Sequence, residues 1–138
     1  MAIEISRLCV PFTPLQRPLG ECRVALVSTA GAYAAGQEPF DPENDVSIRV
    51  IPSQTESSAM RVAHGHYDHA DADRDPNCVF PLERLRELAA AGEIKEVAPG
   101  AVSMGFTQSF RQVRDVTTPE IVDVVNRWSV DVCVLTAG

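Results

Sequence analysis

All the histidines of the chain fall within the segment His64-Gly65-His66-Tyr67-Asp68-His69, which opens the most polar stretch of the sequence, running to Asp75. Two chemistries suit these residue types at this spacing. Imidazoles at alternate positions, with a carboxylate and a third imidazole, can surround zinc and lower the pKa of a bridging water, so His64, His66, Asp68 and His69 form a possible ligand set. Such a site needs further ligands, and no histidine remains elsewhere in the chain to supply them. Alternatively, His64 and His66 donate protons or orient a substrate amine, while Asp68, Asp71, Asp73 and Asp75 bind its cationic nitrogen. Asp71 and Asp73 suit a solvated, helix-capping role equally well, and Asp75 with Asn77 reads first as a turn leading to Pro81.

The elements that must position these residues follow from hydrophobic patterning. Arg23-Val24-Ala25-Leu26-Val27-Ser28 is the continuous apolar run of a strand buried on both faces, closed by Thr29-Ala30-Gly31. Ser47 to Pro52 alternates as a half-buried strand, and Met60 to Ala63 suits a short third one. Pro81 opens a helix carrying Leu82, Leu85, Leu88 and Ala89 at helical spacing, with Glu83 near its start and Gly92 to end it. Ile94 to Ala98 suits a short strand entering a loop with Pro99, Gly100 and Gly105. Thr118-Pro119-Glu120 predicts a second helix start capped by a hydroxyl, with Ile121, Val124, Val125 and Trp128 as its apolar stripe. Val132-Cys133-Val134-Leu135 is again a buried-strand pattern, and it too closes in Thr-Ala-Gly.

Strands separated by helices predict an α/β fold with an open, mainly parallel sheet flanked by helices. Pro11, Pro14 and Pro18 make residues 1–21 an extended arm, leaving 22–138 as one α/β unit. Ligands of open parallel sheets bind outside the carboxyl ends of the strands. Thr29, Gly31, Thr136 and Gly138 therefore frame the expected substrate site, with small residues allowing close approach.

Composition narrows the function. At 138 residues, 45% hydrophobic and 22% charged, the chain is expected to bury one core, and its formal charge of −7 disfavours nucleic acid and anionic membrane. It shows neither a spanning stretch nor a signal peptide, so a cytoplasmic location is the expectation. Cys9, Cys22, Cys78 and Cys133 form no CxxC pair and are expected to be reduced and mostly buried.

The string HxHxDH resembles the zinc signature of metallo-β-lactamase-like hydrolases. A broader likeness points elsewhere. Tyr67-Asp68, the run Asp73-Arg74-Asp75-Pro76-Asn77-Cys78-Val79-Phe80-Pro81-Leu82 and Arg84-Leu85 together resemble the selenoprotein B family of glycine, sarcosine, betaine and D-proline reductases. The likeness extends over Val24 to Gly31, Glu38-Pro39-Phe40-Asp41, Arg49, Ile51-Pro52, Gly92-Glu93-Ile94, Val97-Ala98-Pro99 and Met104-Gly105, and it is strongest toward the D-proline reductase branch.

That resemblance implies an oxidoreductase subunit acting on a small amine or amino acid, with a dithiol or thioredoxin-like donor and a pyruvoyl-containing partner subunit in an oligomer. In the family, a segment like Val130 to Gly138 is followed at once by a catalytic selenocysteine or cysteine. The resemblance thus implies a redox residue immediately after Gly138, a chain truncated before its nucleophile, and no activity alone. It favours His64, Asp68 and Cys78 as catalytic residues, Cys78 as a resolving thiol, although a cysteine before Val79-Phe80 also suits a core. His66, Asp71, Thr29, Gly31, Thr136 and Gly138 remain the expected substrate contacts. His66 and His69 depart from the family pattern, which is where incidental zinc affinity is expected. A metal-dependent hydrolase or metal-binding module and a non-catalytic subunit stand as the alternatives.

Elemental analysis of the purified chain separates these readings. Stoichiometric zinc held by His64, His66 and His69 would displace the reductase reading, which expects none. The codon after 138 is informative in the same way, since a UGA followed by in-frame coding sequence is what truncation at a selenocysteine requires.

Overall fold

The run Val24 to Ser28, buried at every position, is the axis of the molecule. The computed structural model describes residues 13–138. Its elements are, in order, β1 (Arg23–Ser28), β2 (Ala32–Ala34), β3 (Ile48–Pro52), β4 (Met60–Val62), α1 (Ala70–Arg74), α2 (Leu82–Ala90), β5 (Glu96–Val97), β6 (Gly100–Met104), α3 (Phe110–Gln112), a π turn (Val113–Thr117), α4 (Thr118–Arg127) and β7 (Val132–Thr136). Among the described residues no helix is long and apolar enough to cross a membrane.

Strand β1 pairs in parallel with three others. On one side its first residues meet β5 and its last meet β6, and on the other β7 runs beside it from Val24↔Val132 to Ser28↔Thr136. Strand β3 closes the far edge antiparallel to β6, giving the expected α/β sheet, mainly parallel with one reversed strand. Strands β2 and β4 pair as a separate antiparallel ribbon. The third strand expected at Met60 is thus present but outside the main sheet.

Alternation along the strands sorts side chains into two layers. Val24 and Leu26, with Val132 and Val134 of β7, pack toward Phe80, Leu82, Leu85 and Ile94 on one face. On the other, Val27 and Val102 meet Ile121, Val124 and Val125 of α4 and Trp128 just after it. Gly92, at φ +77°, ends the turn after α2 as its position predicts.

Several expectations need correction. The stretch read as a loop after Ala98 contains β6, buried at every residue. Its small residues are what the site demands, since a Cβ on Gly100 would lie 3.1 Å from both the Ile51 carbonyl and the Trp128 ring. Thr118 caps nothing, because the helical backbone already begins at Phe110, where Ser109 Oγ accepts from the Gln112 N–H. Pro119 has no N–H to give and its ring crowds the carbonyl four residues back, so the preceding turn widens into the π turn. β7 alternates half-buried and exposed residues and is an edge strand, with Leu135 76% exposed. Cys22 is buried as expected, whereas Cys78 and Cys133 are exposed. Of the Pro-rich arm, residues 13–18 lie irregular on the surface and Leu19–Glu21 forms one 3-10 turn. Pro11 and the rest of residues 1–12, with Cys9, lie outside the described residues.

The contrast between axis and edge is measurable by urea denaturation. Leu26→Ala is expected to cost about 2–5 kcal/mol. Leu135→Ala in the same chain is expected to stay within about 0.5 kcal/mol.

Candidate functional site at the ends of two parallel strands

Register places the two Thr-Ala-Gly segments side by side. Ser28 pairs with Thr136, and the Thr29 N–H donates to the Thr136 carbonyl at 3.1 Å. One acceptor ties both strand ends to the turn before α2: the Val79 carbonyl receives Ser28 Oγ at 3.0 Å and Thr136 Oγ1 at 2.8 Å. Thr136 therefore spends its hydroxyl on the scaffold, and Cys78, next to Val79, is held near the strand ends.

Both glycines of these segments are required sterically. Gly31 has φ +67°, its N–H donates to the Met104 carbonyl, and a Cβ there would collide with the Ala63 carbonyl oxygen. A Cβ on Gly138 would come within 2.6 Å of the Ala30 Cα and 2.9 Å of the Tyr67 ring.

The His64 segment is an irregular loop that β4 delivers to this edge. Tyr67 pins it down by donating to the Ala30 carbonyl at 3.0 Å. Burial, with the negative charges of Cys78 and Asp73 adding to it, pushes the phenol up to about 12, so Tyr67 remains a donor. His64 is buried, its ring 4.5 Å from Tyr67 and 5.0 Å from Phe106. Its Nδ1 accepts the His66 N–H at 3.1 Å, which leaves the proton of the neutral ring on Nε2. Burial, then the charges of His66 and His69, lower its pKa. His66 stacks on Phe106 with centroids 3.8 Å apart.

These groups line a cavity of about 380 Å³ that includes Thr29, His64, His66, Phe106, Val113 and Gly138. A larger groove, about 550 Å³, lies at the opposite end of β7 against Thr13 to Leu19 and holds no such set of imidazoles. The far wall of the site rests on the loop 38–47. Arg49 donates to the carbonyls of Glu38 and Pro39 and sits 4.3 Å from the Phe40 ring centroid. Partial burial would raise the Asp45 pKa, but hydrogen bonds from Ser47 and the Asp41 N–H, with the Arg49 charge, outweigh it and hold it low. The Gly65 N–H then donates to the Pro42 carbonyl, which fastens the histidine loop to this support.

The remaining sequence-predicted residues go elsewhere. Asp68 Oδ1 accepts the Ala70 N–H and starts α1. Asp71 pairs with Arg74 at 2.7 Å, its side chain 87% exposed. Asp73 binds His69 Nδ1, and Asp75 accepts from the Asn77 N–H as the turn-former its context predicts. The acidic residues expected around a substrate amine are thus engaged with their own backbone and neighbours. His64 and His66 share the Phe106 wall while Asp68 and His69 turn to α1, and among the described residues no three His, Cys, Asp or Glu side chains gather to hold a metal. Phe106 and Val113, which complete the cavity, escape sequence reading because they follow the strand read as a loop.

Comparison with known proteins identifies the family. The family model for glycine/sarcosine/betaine reductase selenoprotein B matches residues 44–138. D-proline reductase subunit gamma of Acetoanaerobium sticklandii is 38% identical over 128 residues, 92% of this chain and 53% of that protein. Sarcosine reductase complex component B subunit beta of Peptoclostridium acidaminophilum is 33% identical over 68% of this chain and 23% of its own length. Glycine reductase complex component B subunit gamma of Carboxydothermus hydrogenoformans is 29% identical over 62% and 21%. The chain thus spans about half the length of the first relative and under a quarter of the other two. No solved structure matches.

The neutral state of His64 has a pH signature. Its folded pKa lies below the unfolded value of about 6.5, so the stability it contributes is complete above that pH and is lost as pH falls toward the folded pKa. The imidazole resonances of His64 are expected to titrate below about 6.5, and His64→Gln to flatten the loss of denaturation midpoint over that range.

Proposed function

This chain belongs to the glycine/sarcosine/betaine reductase selenoprotein B family, and on that premise we propose that it forms the strand-end platform of a reductase subunit acting on a small amine or amino acid. The overall reaction replaces a C–N bond of the substrate by a C–H and an N–H bond. A dithiol donor supplies the two electrons and two protons and leaves as a disulfide. A selenolate or thiolate carried by the residue after Gly138 would supply the soft nucleophile such a bond requires.

The residues of this chain prepare the ground for that nucleophile. The His64 ring, neutral at rest, takes one of the dithiol's two protons as a base and passes it, as the imidazolium, to the departing nitrogen. His66 and Phe106 offer a flat stacked wall against the apolar part of the substrate. Thr29 adds a hydroxyl, and Cys78 stands on the adjoining turn as the resolving thiol. The relatives are named as subunits of reductases or reductase complexes, and by extension this chain works with partner subunits, one of them pyruvoyl-bearing, and is inactive alone. The observation that carries the reading is the convergence of His64, His66, Thr29 and Gly138 on one cavity where β1 and β7 end.

The test is dithiol-dependent consumption of D-proline, sarcosine, glycine and betaine by the complex purified with its partner subunits. One of the four is expected to be reduced, and His64→Gln to lower that rate by about 10²–10⁴-fold. Consumption of none of them, or full activity in the His64→Gln complex, would sink the proposal.

A further inference from the structure

The outer face of β7 is unfinished. Cys133 and Leu135 point to the side of the sheet that carries α4, yet α4 is centred on Val27 and Val102 and leaves both exposed. Between helix and strand runs a groove of about 410 Å³ lined by Val27, Ile121, Val122, Val125, Cys133 and Leu135. Val122 is 48% and Leu135 76% exposed. Among the described residues only β1 pairs with β7, so the opposite edge of β7 carries free backbone donors and acceptors. An apolar groove beside an open strand edge is what a further helix and strand of an α/β sheet would cover.

The relatives indicate what covers it. D-proline reductase subunit gamma is matched over only 53% of its length, although the match takes in 92% of this chain. The described surface offers the unmatched part of that subunit a ready apolar groove contiguous with a free strand edge. We propose that the groove between α4 and β7 is the docking surface for the remaining half of a selenoprotein B-type subunit, whether on the same polypeptide or a separate chain. An apolar helix fills the groove and a strand pairs with the outer edge of β7. This rests on family membership and not on the redox chemistry proposed above.

The experiment co-expresses the 138-residue chain with the unmatched part of the A. sticklandii subunit and follows Cys133 in a Cys9→Ser, Cys22→Ala, Cys78→Ser background. A complex is expected by sedimentation, with Cys133 labelled by a maleimide at least about tenfold more slowly than in the chain alone. Leu135→Glu is expected to weaken the complex by about 30-fold while leaving the circular dichroism of the chain alone unchanged. Absence of a complex would overturn the proposal. So would a complex that leaves Cys133 equally reactive and tolerates Leu135→Glu. Protection of Cys133 in the chain alone would also overturn it, by assigning the groove to a second copy or to residues 1–12. Protection of Cys133 would leave this surface standing even where the wild-type chain, purified with its partner subunits, reduces none of the four substrates, a result that defeats only the functional reading.

Discussion

Strand β1 has nowhere to turn but its neighbours. Both of its faces are covered, so every amide and carbonyl of Val24 to Ser28 has to be satisfied within the sheet. β7 supplies one edge along five consecutive positions, and β5 and β6 share the other. The break between β5 and β6 does not interrupt the ladder, because the Ala98 N–H still donates to the Val24 carbonyl. With the register of three strands set by one, the positions at which they end are set as well.

That registration is what turns separate strand ends into a site. Ser28 and Thr136 lie opposite each other, and their hydroxyls reach the same Val79 carbonyl from adjacent strands. Moving either strand by one residue would send its hydroxyl to the other face of the sheet and break the clamp. The glycines that follow then work in opposite senses. Gly31 bends the chain away through a left-handed turn, while Gly138 lets backbone pass directly against Ala30 and the Tyr67 ring. Tyr67 closes the arrangement by bonding the carbonyl between them, which draws the histidine loop onto the strand ends.

Sequence patterning reached the parts of this design whose signal is bulk and period. β1, α2, the stripe of α4 and β7 all announce themselves through branched or long apolar residues, and the Thr-Ala-Gly pair marks the edge where the histidine-lined cavity lies. β6 was hidden because its interior position selects against bulk: Gly100 is pressed by Ile51 and Trp128, and Ser103 Oγ is occupied by the Ala32 N–H. With Gly100, Ala101 and Ser103 set between Pro99 and Gly105, only Val102 and Met104 are left to signal a strand, and the stretch looks like a turn. Losing β6 meant losing Phe106 and Val113 behind it, so the histidines were visible and the wall they stack on was not. The role of Arg49 was equally opaque, since an alternating Arg on a strand does not disclose that it will hold two carbonyls and an aromatic ring of a loop ten residues earlier.

The placement of the acidic residues bears on how His64 works. The chain carries a formal charge of −7, and aspartates crowd the segment just after the histidines. A carboxylate within about 4–6 Å of an imidazole would favour its cationic form. Here Asp68 and Asp75 are drawn to backbone N–H groups, Asp71 to Arg74 and Asp73 to His69. The aromatic rings of Tyr67 and Phe106 occupy the space beside His64 instead. Its position among rings desolvates it, the charges of His66 and His69 oppose a second proton, and the two effects together keep the ring neutral. The polar segment thus divides its labour: its aspartates build the loop and the short helix after it, and that construction leaves one imidazole in an environment where it holds a single proton at the end of β1.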